Sequence, residues 1–91
     1  MGVAFEYDEA KDAANLERHG LSLAFGARIL EDAEHLIVPT IREADEEERY
    51  KLIGEVEGKL YTAVHVWRDD RVRFISVRRS NASEERAYRS D

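Results

Sequence analysis

The alternation of apolar and polar residues between positions 49 and 79 limits most strongly how this chain can fold. Residues 49–56 place Tyr, Leu and Val on one side and mostly polar residues on the other, which is the period of a half-buried strand. Residues 60–68 and 72–79 are apolar on both sides, as in central strands. Two-residue turns at 57–58 and 69–70 separate these segments and predict antiparallel hairpins.

Shorter signals surround this sheet. Residues 35–40 contain three apolar residues in a row before Pro39 and predict a further strand, and residues 5–7 could form an edge strand. An acidic linker at 43–48 follows the first of these segments.

Two helices are predicted before the strands. Asp8 is a suitable N-cap and Gly20 a suitable residue just after a C-terminus, so the first helix should end at about Arg18. Ser22 can cap a second helix that runs to about Glu31, although a glycine at position 26 weakens it.

A short helix is predicted at the end of the chain. Asn81 and Glu84 have the spacing of a capping box, with Ala87 and Tyr88 following. The elements together predict an α+β fold: a small antiparallel sheet of three to four strands, two N-terminal helices and one short C-terminal helix, with the helices on one face.

Composition sets the outer limits. The chain has 91 residues, of which 43% are hydrophobic, so we expect a single domain over residues 1–91. The absence of cysteine excludes a disulfide scaffold, a thiol nucleophile and a thiolate zinc site. No apolar run approaches the roughly 18–20 residues that span a bilayer. The first residues lack the features of a signal peptide. We therefore expect a cytoplasmic protein without membrane association.

Charge is divided unevenly along the chain. Residues 1–58 hold 6 basic and 15 acidic side chains, whereas residues 59–91 hold 8 and 5. The net charge of −6 opposes tight non-specific binding to nucleic acid. A local group of arginines can still bind one or two phosphates, and two oppositely charged halves also suit a protein partner.

Basic residues recur on the predicted strands. They are Arg49, Lys51, Arg71, Arg73, Arg78 and Arg79. In an antiparallel sheet they can converge on the face that the helices leave open. Arginine binds phosphate bidentately and stabilises the additional negative charge of a phosphoryl-transfer transition state.

Such a cluster permits RNA cleavage without a metal ion. This reaction also needs one group that accepts a proton and one that donates a proton. The candidates for proton transfer are His19, His65 and Glu55, and the candidates for stacking on a base are Tyr61, Trp67 and Tyr88. The three histidines lack metal-ligand spacing, so neither a metal site nor a cofactor is predicted. Each of these side chains also suits a structural role, so a nuclease and a protein-binding module both remain open.

Four segments resemble one known family. Residues 5–32 carry Tyr7-Asp8, Lys11, Asn15, His19-Gly20 and Ser22 in an order similar to the opening of the BrnT toxins. Residues 49–54 resemble that family's Arg-x-x-x-Ile-Gly strand, residues 73–79 its Arg-Ile-Ile-Ser-Ala-Arg strand, and residues 84–88 its closing helix. The resemblance covers residues 5–88.

The resemblance implies a RelE-like fold and the ribonuclease half of a BrnT–BrnA type II toxin–antitoxin system. It implies metal-independent RNA cleavage that inhibits translation, and neutralisation by a BrnA-type antitoxin. Contact with DNA would then be indirect, through the antitoxin. An alternative is a catalytically inactive binding module of the same fold, kept as antitoxin partner and corepressor. A third is an unrelated interaction domain.

Site residues follow from the matched positions. The resemblance implies that Arg49, Arg73 and Arg78 are catalytic cations and that His19 acts in proton transfer. We expect Lys51, Arg79 and Tyr88 to contact RNA. Tyr7 replaces the family's usual Trp, Arg18 its common Lys, and Trp67 a residue that is often polar or acidic.

Overall fold

The computed structural model describes residues 4–40 and 48–90, so most of the predicted acidic linker lies outside the described residues. The strands are β1 (Phe5–Tyr7), β2 (Leu36–Thr40), β3 (Arg49–Val56), β4 (Lys59–Arg68) and β5 (Arg71–Arg79). The helices are α1 (Glu9–His19), α2 (Gly26–Leu30) and α3 (Ala82–Arg89), with a 3₁₀ turn at Leu23–Phe25 before α2.

The predicted sheet of three to four antiparallel strands is wrong. Within the described residues, the strands form one five-stranded mixed sheet in the order β1-β5-β4-β3-β2. β1 pairs with β5 in parallel, and the other neighbours are antiparallel. The Phe5 ring packs on Phe74 of β5, with 5.6 Å between their centroids. A three-residue strand carries too little alternation to reveal a partner almost seventy residues away.

Both predicted hairpin turns are confirmed. Glu57 and Gly58 have φ angles of 51° and 82°, and Asp69 and Asp70 have 48° and 67°. Two successive residues with positive φ make the turn whose twist matches that of the flanking strands. These turns fix the register of β3, β4 and β5.

The second predicted helix is also wrong as a single element. Residues 22–31 form the 3₁₀ turn and then the five-residue helix α2. The Leu23 backbone N–H donates to the Asp12 carboxylate at 2.6 Å, which ties this segment to α1. Gly26 then lies directly against the Phe74 ring. The chain must bend around these contacts and does not form a continuous helix.

One face of the sheet carries the main core. Its buried side chains come from three strands and from the segment after α1: Leu23, Ile29, Leu52, Val56, Ala63, Val72, Phe74 and Val77. The opposite face is also covered in part, because Glu84 of α3 bonds to Thr62, which alternates with Ala63. The expectation that all helices lie on one face is therefore wrong.

Asn15 joins α1 to the edge of the sheet. β1 pairs with β5 only as far as Phe74. Beyond it, the buried Asn15 side chain donates to the Val77 carbonyl at 2.9 Å and accepts from the Val77 N–H at 3.1 Å. The same amide donates to the Leu21 carbonyl. One side chain therefore satisfies strand groups that β1 leaves open.

Gly26→Ala should destabilise the fold by about 1–3 kcal/mol, the usual cost of overpacking. A Cβ at this position would lie 2.5 Å from Cε1 of the buried Phe74 ring. Urea denaturation measures the change. The loss of stability caused by Gly26→Ala should be smaller in a Phe74→Leu protein, which lacks the ring. An equal loss in both proteins would contradict the contact with Phe74 as its cause.

Candidate functional site

Four cationic side chains border one groove. The groove has a volume of about 570 Å³ and is lined by Arg18, Thr40, Arg49, Lys51, Val64, Ile75, Ser76 and Arg78. It lies on the face opposite the main core, with α3 at one end. We call it the cationic groove.

Strand geometry brings these side chains together. Arg49 and Lys51 are two positions apart on β3, so their side chains lie on the same face of the sheet. In the register, Lys51 pairs with Val64 and Val64 with Ser76, while Arg78 pairs with Thr62. Of the six basic residues expected to converge, Arg49, Lys51 and Arg78 therefore line the groove, whereas Arg71, Arg73 and Arg79 do not.

A β-bulge shapes the floor of the groove. The register passes from Val64–Ser76 to His65–Phe74, so Ile75 has no partner on β4. The additional residue lets Phe74 and Val77 both point into the main core, although three positions separate them. Ile75 and Ser76 are then left to line the groove.

A buried carboxylate holds two of the groove cations. Glu84 is 4% exposed, and its two oxygens accept from Nη1 and Nη2 of Arg78, each at 2.7 Å. Oε2 also lies 3.0 Å from Nζ of Lys51. Oε1 accepts from the Thr62 hydroxyl and from the Asn81 backbone N–H. The capping-box prediction is confirmed.

The contact between Glu84 and Arg78 shifts the pKa values of the two groups in opposite directions. Burial alone would raise the pKa of Glu84, but hydrogen bonds from Arg78, the Asn81 backbone and Lys51 outweigh it and lower that pKa to about 2. The Glu84 carboxylate raises the pKa of Arg78. Both groups are therefore ionised at any physiological pH, and the groove keeps a fixed charge pattern.

Arg73 and His19 lie outside the cationic groove. Nη1 of Arg73 donates to the Glu6 carboxylate of β1 at 2.6 Å. His19, exposed at the end of α1, lines a neighbouring hollow of about 280 Å³ with Lys11 and Asn15. The two hollows share Arg18, Ile75 and Ser76 as a common wall.

Arg79 and Tyr88 are engaged elsewhere. The Arg79 guanidinium lies 5.5 Å from the centroid of the Tyr61 ring. The Tyr88 hydroxyl donates to the Asp32 carboxylate at 2.5 Å, and this bond raises the pKa of Tyr88 to about 12. Neither residue borders the cationic groove.

Sequence reasoning missed the groove roles of Arg18, Ser76 and Glu84. The sequence predicts Arg18 at the end of the first helix, in place of the family's common Lys, and Glu84 as a capping residue of the closing helix. The sequence signal for Glu84 was present, because a capping box places its carboxylate near the helix start, directly after Arg78 and Arg79. The bulge that exposes Ser76 has no signal in the sequence.

His65, a candidate for proton transfer, lies inside the protein. It is 1% exposed, and its ring lies among those of Tyr50, Trp67 and Phe74. Its Nδ1 has no hydrogen-bond partner among the described residues. Burial lowers the pKa of His65, so the ring is neutral.

Among residues 4–40 and 48–90, no three His, Asp or Glu side chains are grouped to hold a metal ion. In the same part of the chain, no helix is long and apolar enough to cross a membrane.

These features define a small α+β protein with a cationic groove on one face of a mixed sheet. The sequence model of one protein family matches residues 7–84, and its description is a ribonuclease toxin, BrnT, of type II toxin–antitoxin systems. The match covers most of the chain, and the protein belongs to this family. A search of curated proteins finds no match.

The free energy of unfolding should fall as the pH drops below about 6.5, because the unfolded chain then binds a proton that buried His65 does not. The limiting slope for one group is about 1.4 kcal/mol per pH unit. His65→Phe should remove the part of this pH dependence that is due to His65. Urea denaturation of both proteins between pH 7.5 and 5.5 measures it, and parallel curves would contradict the assignment.

Proposed function

We propose that this chain, acting as one domain, cleaves RNA without a metal ion and so inhibits translation in the cytoplasm. Its membership of a family of ribonuclease toxins supports this proposal. The observation that carries it is the convergence of Arg18, Arg49, Lys51 and Arg78 on one groove, although the chain has a net charge of −6. A local cationic site in an acidic protein favours one bound phosphate over non-specific nucleic-acid binding.

In this proposal the groove cations hold the scissile phosphate. The 2′-oxygen of the ribose attacks the adjacent phosphorus, and the bond from phosphorus to the 5′-oxygen breaks. The 2′-hydroxyl loses a proton to a base, and the departing 5′-oxygen gains one. The products are a 2′,3′-cyclic phosphate and a 5′-hydroxyl. Arg49 and Arg78 stabilise the additional negative charge of the transition state.

His19 is our candidate for one of the proton transfers. It lies in the hollow that meets the cationic groove at Arg18 and Ser76. A ribose that spans this wall would present its hydroxyl on the His19 side and its phosphate on the Arg49 side. Arg73 as a catalytic cation, and Arg79 and Tyr88 as RNA-binding residues, remain predictions; in the structure they contact Glu6, Tyr61 and Asp32, respectively.

The family implies an antitoxin as partner. We propose a BrnA-type antitoxin that neutralises the toxin, with DNA contacted only through it. A segment of the antitoxin that carries a carboxylate could occupy the groove in place of a phosphate, because the same cations bind both groups.

One observation favours an alternative function. Glu84 already neutralises part of the charge of Arg78 and Lys51. A groove whose cations are already paired with a carboxylate suits a catalytically inactive member of the family. Such a protein would only bind the antitoxin and act as corepressor. The two functions differ in whether purified protein cleaves RNA.

Arg49→Ala should lower the rate of RNA cleavage about a hundredfold, as expected when one transition-state cation is lost. The measurement is cleavage of an RNA oligonucleotide by purified protein in EDTA, with and without ribosomes. Arg28→Ala is the matched control, because Arg28 lies on α2 beside Glu57 and Phe25, away from the groove.

Equal cleavage by wild type and Arg49→Ala would contradict the proposed site. No cleavage by the wild type under either condition would favour the inactive binding module. Loss of wild-type cleavage in EDTA would contradict metal independence alone.

A further inference from the structure

In the part of the chain that the structure describes, Glu84 is an acidic side chain that binds two of the groove cations, Arg78 and Lys51, directly. An acidic group in a groove that binds phosphate lowers the local positive charge and opposes binding. Yet its carboxylate is buried and reaches both Arg78 and Lys51. Either it attaches α3 to the sheet, or it acts on the cations themselves.

The donors of Arg78 show what remains for a ligand. A guanidinium has five N–H groups. Two of them, one on Nη1 and one on Nη2, donate to Glu84, and a third donates from Nη1 to the Arg79 carbonyl. The Nε–H and the second N–H of Nη2 make no hydrogen bond to any described residue. These two groups point in the same direction, along the side edge of the guanidinium.

That side edge is itself a bidentate binding site. Two parallel N–H groups match two oxygens of a phosphate, as they match a carboxylate. Glu84 therefore occupies the end of the guanidinium and leaves the side edge open. Lys51 is held similarly, because one of its three ammonium N–H groups suffices for the contact with Glu84.

Fixing these cations reduces the entropy that they would lose on binding. Lys and Arg side chains have large rotamer freedom, and a transition state held by mobile cations must order them first. A buried carboxylate that accepts from both cations orders them before the ligand arrives.

We propose that Glu84 is a positioning residue of the cationic groove, which holds Arg78 and Lys51 so that the side edge of Arg78 and the Lys51 ammonium receive the same phosphate of the RNA. This inference rests on the proposed function. It assigns no contact between Glu84 and the RNA.

The expected effect of removing this charge distinguishes positioning from simple electrostatics. Glu84→Gln keeps an oxygen in the place of Oε1, which can still accept from Asn81, Thr62 and Nη1 of Arg78. Its NH2 group replaces Oε2 and cannot accept from Nη2 of Arg78 or from Lys51. The groove gains one net positive charge, so RNA should bind as tightly or more tightly. Cleavage should nevertheless fall, because the cations are no longer fixed.

The experiment measures kcat and KM for cleavage of an RNA oligonucleotide by wild type, Glu84→Gln and Glu85→Gln. The last is the matched control, since it removes the same charge from the neighbouring residue of α3. We expect kcat of Glu84→Gln to fall at least about tenfold with KM unchanged or lower, and Glu85→Gln to behave as the wild type. Circular dichroism and urea denaturation establish that each variant is folded.

Three outcomes would overturn the inference. Unchanged kcat in folded Glu84→Gln would overturn it and leave the proposed function intact. Higher kcat would identify Glu84 as an inhibitory charge. No cleavage by the wild type would overturn the proposed function, and this inference with it.

A measurement on the wild type covers the case in which Glu84→Gln does not fold. Nitrogen-15 NMR of Arg78 can follow its Nε and Nη signals during titration with inorganic phosphate. Positioning predicts that Nε shifts while the two Nη groups stay distinct, because Glu84 still holds them. Merging of the Nη signals would mean that phosphate displaces Glu84, and would overturn the inference.

Discussion

The open edge of β5 is the constraint on which the arrangement of this small fold depends. β1 covers that edge only as far as Phe74, and the buried backbone groups of Val77 would otherwise lack partners. Asn15 supplies them, and so fixes α1 against the strand. Arg18 and His19 lie one turn further along α1, so Arg18 forms part of the wall between the two hollows and His19 lines the smaller one. A hydrogen-bonding requirement of the backbone thus decides where the groove cation Arg18 and the candidate residue His19 lie.

The groove shows how an acidic chain can present a cationic site. Its cations come from α1, β3 and β5, which are distant in sequence, so no basic run is needed. The net negative charge of the protein repels nucleic acid at long range, and in the proposed function the groove binds one phosphate at close range. Such a protein would depend on close contact for affinity. The proposed ribonuclease, which must release its RNA products, would need such binding.

Local signals in the sequence were sufficient for the parts of the fold that are local. The paired turns, the capping box at Asn81 and the shared face of Arg49 and Lys51 each depend on residues a few positions apart, and each is confirmed. The parallel pairing of β1, the second face covered by α3 and the pairing of Arg73 with Glu6 depend on contacts across most of the chain. Periodicity carries no information about such contacts.

The two oxygens of Glu84 argue for different roles of one residue. The capping box needs one acceptor, and Oε1 supplies it to Asn81. Oε1 also accepts from Nη1 of Arg78. Among the described residues, Oε2 bonds only to the side chains of Arg78 and Lys51. A buried ion pair is a poor means of attaching a helix, since the cost of desolvation cancels much of the attraction and an apolar contact would serve as well. Attachment of α3 thus accounts for the bonds of Oε1 with Asn81 and Thr62. In our proposal, the fixed geometry of the groove cations accounts for the bonds of both oxygens with Arg78 and of Oε2 with Lys51.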